Sequence, residues 1–517
     1  MIKPLIFILG VLSFLFGASP VKSNQSFLLC LKSNVSPLTI SRSGDIVNVD
    51  LEELNIFIQN ENISNIEQWI AGTTDMDRDG DIYLNRIYRL SVSESRYNEI
   101  PMLIDKLNRK SFIKYAEPEY LRKPHYSTND PLSELQCTIS SIKADKAWDF
   151  WDIDNGEKPN GRNVLLASVD TGVDYTHPDL QSNAWINQGE IPSWMAEAGL
   201  DMDSDGFIES DEVVSFMQDF GDLNGDGEIN LRDAVSDGSP FEDSIDDDGN
   251  GYTDDLLGWD TAGWYGPDDN DPFPKEDASA GGGWAHGTHV AGILAATTDN
   301  DLGMSSTSYN AKFISVKTSR ENQNDDDPGV NDGYAGITYA AKAGFYSGLF
   351  TIINNSWGGG GFSNSENSAI NNAVDTYGAV VLSSAGNGYE SGGEEYSGDY
   401  PAAYENCISV CAIGCSYAWG GWATFHPSVD LAAPGESIYS AIIGSGYESW
   451  DGSSMASPNA ASAIGLLSAY HPDWNNVQLR TRIEESADRR IYEVNPDYEA
   501  CNGNSGTDCL GSGMVDI

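Results

Sequence analysis

Basic residues are scarce in this chain of 517 residues: 28 Lys and Arg stand against 79 Asp and Glu, for a formal net charge of −51. A surface of this sign repels polyanions, so we expect no nucleic-acid partner. Such an acidic surface suits a saline exterior, a calcium-rich exterior or a set of cation sites. Composition alone does not choose between them.

Long apolar runs are lacking after the first residues of the chain. The start, MIKPLIFILGVLSFLFGASPVKS, has Lys3 and then an apolar run to about Ala18, which is typical of a secretory signal peptide over residues 1–23. A retained membrane anchor is the alternative, but the run is short for a span. The sequence therefore predicts a secreted, extracellular protein without a stable membrane anchor.

Cysteine is also infrequent, with seven residues, and an exported protein can oxidise them to disulfides. Cys501 and Cys509 bracket the Gly-rich NGNSGTD and form the predicted pair. The first two cysteines of CISVCAIGC share one face of a predicted strand and are interpreted as buried free thiols. Cys137 and Cys415 stay without an assigned partner.

The chain changes in pattern along its length. Residues 24–125 alternate strand-like runs such as SFLLCLK and FIKYAEP with helical stretches, which predicts a small α+β domain. From Asn163 onward, the runs VLLASV, FISVKT, TIINNSW, AVVLSSAG and CISVCAIG each lead into a turn, with helical patterns between several of them. This alternation predicts an α/β fold, a doubly wound and mostly parallel sheet, in residues 126–517. Functional side chains gather at the carboxyl ends of such strands.

Two polar motifs fall at the ends of predicted elements. VLLASV ends in Asp170, within VDTGVD, where an Asp either caps the next turn or has a functional role. WAHGTHVAGILAA opens a helix with His286 and His289. Two neighbouring histidines can bind zinc, but HExxH is absent, and we interpret one of them as a catalytic imidazole at the helix start.

Two further motifs complete the set. Asn387 follows AVVLSSAG, where its amide either donates to an oxyanion or forms a turn. DGSSMASPNAASAIGLLSAY places Ser454 at the start of a small-residue helix, where unpaired N–H groups favour a developing negative charge; an N-cap serine is the alternative. The order Asp, His, Asn, Ser, each at an element end, indicates a catalytic set.

The stretches VDTGVD, HGTHVAG, SSAGN and GSSMASP, with VDLAAPG between the last two, resemble the motifs of subtilisin-like serine proteases, the subtilases. The resemblance implies a serine endopeptidase that cuts protein or peptide substrates through an acyl-enzyme. It makes Ser454 the nucleophile, His286 the general base and then acid, Asp170 the group that orients His286, and Asn387 the oxyanion donor. GSSMA stands where GTSMA is usual, and Ser453 keeps the hydroxyl.

The same resemblance assigns residues to substrate binding. SWGGGG, with Ser356, Trp357 and Gly358, is the edge that pairs with an extended substrate, where glycines let a peptide backbone approach, and a flexible loop is the alternative. Asp399 borders the floor of the pocket that receives the side chain preceding the cut, where a carboxylate favours Lys or Arg. Exposure of Asp399 to solvent is the alternative.

The segment KYAEPEYLRKPHYSTNDP resembles the end of the inhibitory propeptide that subtilases carry. The resemblance implies that residues 24–125 are an intramolecular inhibitor and that the protein is a self-processing zymogen. Self-cleavage is expected between Tyr120 and Ser127.

Two acidic segments, DMDSDGFIESDE and DLNGDGEINLRD, match the twelve-residue calcium loop, with alternating side-chain ligands, a turn glycine and a closing carboxylate. They predict an EF-hand-like insertion over residues 193–243, and solvated acidic loops are the alternative. Without Ca²⁺ the carboxylates would repel one another, so the expected role of the ion is in folding. The predicted ligands are Asp201, Asp203, Asp205, Glu212, Asp222, Asn224, Asp226 and Asp233.

Two further acidic runs match less completely. IDDDGNGYTDDLLGWD resembles a segment that many bacterial subtilases carry between their Asp and His motifs, but Leu257 stands at the closing position. A fourth run, DMDRDGDIYLNR, ends in Arg86 and lies in the predicted propeptide. The predicted ligands of the third run are Asp246, Asp248, Asn250 and Asp254.

A different class of function is a calcium-dependent binding or adhesion protein on a subtilase scaffold that no longer cuts. The complete set of catalytic residue types argues against it. Labelling by a serine-directed fluorophosphonate discriminates between the two.

Overall fold

The computed structural model describes residues 22–44, 46–120, 126–263, 268–323, 328–388, 399–500 and 508–517. Contacts between Cα atoms divide the chain into two units, residues 1–124 and 125–517. Most of the predicted signal segment and most of the predicted cleavage region lie outside the described residues.

The first unit is an antiparallel sheet with two helices. The sheet has the strand order β4-β7-β1-β8. Its apolar side chains, among them Phe27, Leu54 and Leu103, form a core of their own. The elements are β1 (Lys22–Leu31), β2 (Ile40–Ser43), β3 (Ile46–Val49), α1 (Glu52–Asn60), β4 (Asn65–Gln68), β5 (Arg78–Asp79), β6 (Ile82–Tyr83), β7 (Ile87–Ser91), α2 (Ile100–Asn108) and β8 (Ile113–Tyr120).

The second unit is built on a seven-stranded sheet of order β10-β11-β9-β12-β13-β14-β15, in which all neighbours are parallel. The apolar runs of the sequence form five of these strands. A short antiparallel hairpin, β16 and β17, precedes the last long helix. The strands are β9 (Val164–Asp170), β10 (Gly258–Asp260), β11 (Lys312–Lys317), β12 (Phe350–Asn355), β13 (Val380–Ser384), β14 (Cys407–Ile413), β15 (Leu431–Pro434), β16 (Ile438–Ala441) and β17 (Tyr447–Trp450).

Helices cover both faces of this sheet. Leu166 of β9 packs into one core with residues of α8 and α11, and its neighbours Leu165 and Ala167 pack into another core with residues of α9. Within the described ranges, none of the helices has the length and apolarity needed to cross a bilayer. The helices are α3 (Cys137–Ser141), α4 (Ala144–Ala147), α5 (Met195–Ala198), α6 (Ser210–Met217), α7 (Leu231–Ala234), α8 (His286–Ala295), α9 (Gly333–Tyr346), α10 (Asn364–Asn371), α11 (Ser453–Tyr470), α12 (Asn476–Ser486) and α13 (Arg490–Val494).

The register of the sheet brings its functional ends together. In β9, Asp170 lies opposite Lys317 at the end of β11, and β12 and β13 run in the same direction beside it. Parallel strands expose their carboxyl ends at one edge of a sheet, so the loops that follow β9, β12 and β13 meet there. The predicted α/β, doubly wound fold is confirmed.

The structure joins Cys137 to Cys415 in a disulfide, a pair that the sequence left unassigned. Cys407 and Cys411 are buried free thiols, as predicted. Cys501 lies outside the described residues, so its pairing with Cys509 stays a prediction.

Candidate active site

Asp170 and His286 meet where β9 ends and α8 begins. Asp170 is 1% exposed, and its Oδ1 accepts a hydrogen bond from His286 Nδ1 at 2.8 Å and from the Thr171 N–H at 2.8 Å. A Cβ on Gly287 would lie 2.2 Å from the carbonyl oxygen of Gly172. Glycine at that position therefore lets α8 approach the end of β9.

The contact with Asp170 sets the protonation of His286. Burial acts to lower the pKa of His286, but the charge and hydrogen bond of Asp170 act to raise it, and the net pKa lies above the ordinary value for histidine. Because Nδ1 donates to Asp170, the neutral ring has Nε2 free as a proton acceptor. Asp170 thereby fixes the tautomer that a general base requires.

Ser454 lies in the first turn of α11 and is tied to the end of β12. Its Oγ donates to the carbonyl oxygen of Ser356 at 3.0 Å, and the Ser356 Oγ donates to the carbonyl oxygen of Ser454 at 2.8 Å. Ser356 lines a cleft of about 650 Å³ together with Asp170 and His286. A role as nucleophile would require this hydroxyl to turn from Ser356 toward the imidazole, and catalytic hydrogen bonds often form only with substrate bound.

Asn387, just after β13, is held by the residue before Ser454. Its Oδ1 accepts from the N–H of Ser453 at 2.8 Å and from the Ser453 Oγ at 2.9 Å. The same hydroxyl accepts from the Gly386 N–H at 3.1 Å. With its oxygen engaged, the exposed Asn387 side chain has its NH₂ group available to donate to an oxyanion. The Ser453 hydroxyl thus orients the amide.

The predicted substrate edge lies along the same cleft. The Trp357 Nε1 donates to the carbonyl oxygen of Val169 at 2.8 Å, and the Ser383 Oγ donates to that of Trp357 at 3.1 Å. Trp357 and Gly358 both line the cleft. A rigidly anchored edge rich in glycine can pair with an extended peptide backbone.

Trp450 is a cleft residue that the sequence motifs did not indicate. Its ring stacks on that of His289, with centroids 4.3 Å apart, and lies 6.4 Å from the ring of His286. Burial lowers the pKa of His289 to about 3, and its Nε2 contacts the carbonyl oxygen of Glu448 at 3.1 Å. His289 is therefore a neutral support for Trp450, and Trp450 precedes Ser454 by four residues in sequence.

The first acidic loop gathers its carboxylates in one place. One oxygen from each of Asp201, Asp203 and Asp205 lies within 4.8 Å of the others. Glu212 accepts from the N–H groups of Met202 at 2.6 Å and of Glu209 at 3.0 Å. The Asp201 Oδ1 is buried and has no hydrogen-bond partner. A dense set of carboxylate oxygens with one unsatisfied member fits a hard cation such as Ca²⁺.

The second loop has the same hydrogen-bond arrangement as the first. Asp222 accepts from the Gly227 N–H at 3.0 Å, as Asp201 does from the Gly206 N–H at 3.1 Å. Its closing Asp233 accepts from the N–H groups of Leu223 at 2.7 Å and of Asn230 at 2.8 Å, which matches the two bonds of the closing glutamate in the first loop.

The third loop is closed by a residue from another part of the chain. Glu190, which is 2% exposed, accepts from the N–H groups of Asp248 at 3.2 Å and Asp254 at 3.0 Å. Asp248 and Asp254 stand at the third and ninth positions of this loop. In the first two loops, the N–H group at the ninth position also donates to the closing carboxylate. Oxygens of Glu190, Asp246 and Asp248 lie within 4.8 Å of one another. Burial raises the pKa of Glu190 to about 7.

Glu190 therefore supplies the closing carboxylate that the third loop lacks, because Leu257 stands at its closing position. Sequence spacing did not indicate Glu190. The Asp254 carboxylate accepts from the Ser244 N–H at 3.1 Å.

In the fourth loop, the guanidinium of Arg86 binds Asp75 at 3.2 Å. A protein cation thus stands where the other loops have a closing carboxylate, and that loop does not fit a metal ion.

This chain is similar to known proteases. The subtilase family model matches residues 161–507. A thermophilic serine proteinase of Bacillus sp. (strain AK1) is 27% identical over 395 residues, which cover 76% of this chain and 72% of that protein. Thermitase of Thermoactinomyces vulgaris is 34% identical over 235 residues, 46% of this chain and 76% of that protein.

A solved protease structure from Pseudoalteromonas arctica aligns with 76% of this chain and 97% of its own, at 20% identity and a TM-score of 0.48. The family model spans well over half of the sequence and includes the ends of β9 and β13 and the starts of α8 and α11. The chain therefore belongs to the subtilase family and is a serine endopeptidase.

Proposed function

We propose that this subtilase cuts peptide bonds with Asp170, His286 and Ser454 as its triad and Asn387 as a donor to the oxyanion. The observation that carries the proposal is the 2.8 Å hydrogen bond from His286 to Asp170. It lies in the cleft that also holds Ser356, the acceptor of the Ser454 hydroxyl.

The reaction proceeds in two steps, acylation of Ser454 and hydrolysis of the acyl-enzyme. The His286 Nε2 takes the proton of Ser454 as Oγ bonds to the peptide carbonyl carbon, and the π electrons move to the carbonyl oxygen. The Asn387 amide and the Ser454 N–H donate to that oxygen. The C–N bond then breaks, and the amine leaves with the proton from His286. Water repeats the sequence on the acyl-enzyme, and His286 first accepts and then returns a proton.

Calcium is proposed as a structural cofactor of the acidic loops. The Asp201 carboxylate oxygen that is buried without a partner supports a cation in the first loop, and the matching second loop supports another. Glu190 would hold an ion in the third loop together with Asp246 and Asp248. When bound, the ion supplies positive charge that offsets the mutual repulsion of these carboxylates.

Secretion and self-processing belong to the same proposal. Residues 1–23 are proposed as the signal peptide, residues 24–125 as an inhibitory propeptide, and residues 126–517 as the catalytic domain with the insertion at 193–243. The separate sheet and core of the first unit support its role as an independently folded inhibitor.

A serine-directed fluorophosphonate tests the assignment of the nucleophile. We expect it to label the wild type at Ser454 and not to label Ser454→Ala. Ser449→Ala, which removes an exposed serine of β17, is the matched control and should label fully. A wild-type protein that resists labelling would favour the binding-protein alternative.

A further inference from the structure

Arg162, which lies outside the first acidic loop in sequence, holds one side of that loop. Its Nη1 binds the Asp205 carboxylate at 2.7 Å, and its Nη2 donates to the Glu209 carboxylate at 2.9 Å. The guanidinium also lies over the ring of Phe207, 4.8 Å from the centroid. These three partners stand at the fifth, ninth and seventh positions of the loop. One cation therefore contacts three alternate residues of a predicted calcium loop.

The backbone that carries Arg162 is closely packed in the catalytic unit. It forms a single turn that leads directly into β9. A Cβ on Gly161 would lie 2.0 Å from the carbonyl oxygen of Asn310, so glycine lets the turn approach that backbone. The buried Lys312 of β11 places a second cation 4.0 Å from Glu209. Positive charge thus reaches the loop from the parallel sheet and not from the insertion.

The second acidic loop has no such cation. Its fifth-position carboxylate, Asp226, accepts from the neutral amides of Asn224 at 3.1 Å and Asn230 at 3.3 Å. Arg232 lies within this loop, but its guanidinium pairs at 3.2 Å with Asp271, outside the loop. Across the described ranges, no Lys or Arg forms an ion pair with a predicted ligand of the second loop. The contact of Arg162 is therefore particular to the first loop.

A guanidinium and a Ca²⁺ ion act on the same carboxylates. In calcium-free protein, Arg162 offsets part of the repulsion within the carboxylate cluster around Asp205. When Ca²⁺ is bound, the like charges of the ion and of Arg162 repel each other. The two side chains of the ion pair are 40% and 32% exposed, so both effects are moderate and become smaller as salt is added.

We propose that Arg162 is a built-in substitute for Ca²⁺ at the first loop. Its guanidinium holds the loop to the start of β9 in calcium-free protein, and it lowers the calcium affinity of that loop. This inference rests on the proposed role of calcium in the acidic loops. The competing role for Arg162 is to orient Asp205 for the ion, which would raise the affinity instead.

Calorimetric titration of Ca²⁺ into the chelator-treated full chain, at low ionic strength, tests the sign of the effect. Arg162→Gln should lower the Kd of one site by roughly fivefold, the size expected for one partly exposed charge beside a divalent ion. Arg162→Lys keeps the charge and should stay close to the wild-type Kd. Arg489→Gln, which removes the same charge from an ion pair with Asp508, is the control and should leave every Kd unchanged.

Thermal unfolding gives a second readout. In chelator, Arg162→Gln should have a lower Tm than the wild type, because the contacts with Asp205 and Glu209 are lost. In saturating Ca²⁺ the difference should shrink, since a site with a lower Kd gains more stability from the ion. In a Glu212→Gln background, which removes the closing ligand of the first loop, Arg162→Gln should no longer change the Kd of the remaining sites.

Unchanged calcium binding in Arg162→Gln overturns the inference, and weaker binding overturns it in favour of the orienting role. In both cases the wild type still binds Ca²⁺, so the proposed calcium role of the loops stands. A wild type that shows neither heat of binding nor a change in Tm with Ca²⁺ refutes that role and the inference together.

Discussion

The carboxyl edge of the parallel sheet and the acidic insertion both gather polar side chains, but they pair them differently. At the sheet edge, groups of complementary kind meet: His286 donates to Asp170, and Ser453 donates to Asn387. In the insertion, like charges meet, as in the carboxylates around Asp201. The first region is organised by the polypeptide alone, whereas in the second, apart from the Arg162–Asp205 ion pair, bound Ca²⁺ is proposed to supply the positive charge.

The largest expected effect tests the sheet edge. Ser454→Ala should lower kcat by roughly 10⁶-fold, the size found when the triad serine or histidine is removed in another subtilase. The precursor should also stay uncut in the region from Tyr120 to Ser127, because the proposed self-processing uses the same hydroxyl. Mass spectrometry of the purified variant measures this. Efficient processing without another protease would contradict the zymogen assignment.

Asp170→Asn probes the complementary pairing directly. We expect a loss of roughly 10⁴-fold in kcat, since the amide no longer holds the His286 tautomer. In the wild type, kcat/KM should fall as the pH drops through the His286 pKa, which lies above 6.5, because the protonated ring accepts no proton. The variant loses the charge that raises this pKa, so its midpoint should move to lower pH. An unmoved midpoint in the pH profile would remove Asp170 from contact with the base.

Asn387→Ala should raise the barrier by about 3–4 kcal/mol, measured as a lower kcat with little change in KM. Ser453→Ala should produce part of that loss because the amide is then less well oriented. Ser453→Thr keeps the hydroxyl and serves as the control. Equal activity of the Ala and Thr variants would show that the hydroxyl does not position Asn387.

The insertion should respond to cations and the sheet edge should not. Ca²⁺ at a hundredfold above its dissociation constant should stabilise the native state by about 2.7 kcal/mol per site, seen as a higher Tm than in chelator. Glu212→Gln in the insertion, and Glu190→Gln at the adjoining third loop, should each reduce that increment. Glu228→Gln, at an exposed loop position, should keep it. If chelator leaves the Tm unchanged in every variant, the acidic loops do not depend on cations, and the two regions do not differ in this respect.

Sequence patterns predicted the parts of the site that local structure determines. Asp170 and Asn387 follow apolar runs, and His286 and Ser454 begin helices, so the parallel topology brings all four to one edge. Local patterns cannot show which distant segments meet. Leu257 signalled an incomplete third loop, but the residue that completes it, Glu190, precedes Asp248 by 58 positions.

Two other structural features could not be predicted from the sequence, for the same reason. The stacking of Trp450 on His289 depends on the placement of the hairpin β16 and β17 against α8. Cys137 and Cys415 are 278 residues apart, and no spacing rule selects that pair. Both depend on tertiary packing and not on periodicity.

The Cys137–Cys415 disulfide has a topological consequence for an enzyme that can cut its own kind of bond. The bridge closes a covalent ring that contains Asp170, His286 and Asn387, and the segment with Ser454 is attached to that ring. A single nick anywhere in the ring, including the acidic insertion, leaves all four residues in one covalent molecule. Enzyme nicked once within the ring would therefore run as one band until the disulfide is reduced.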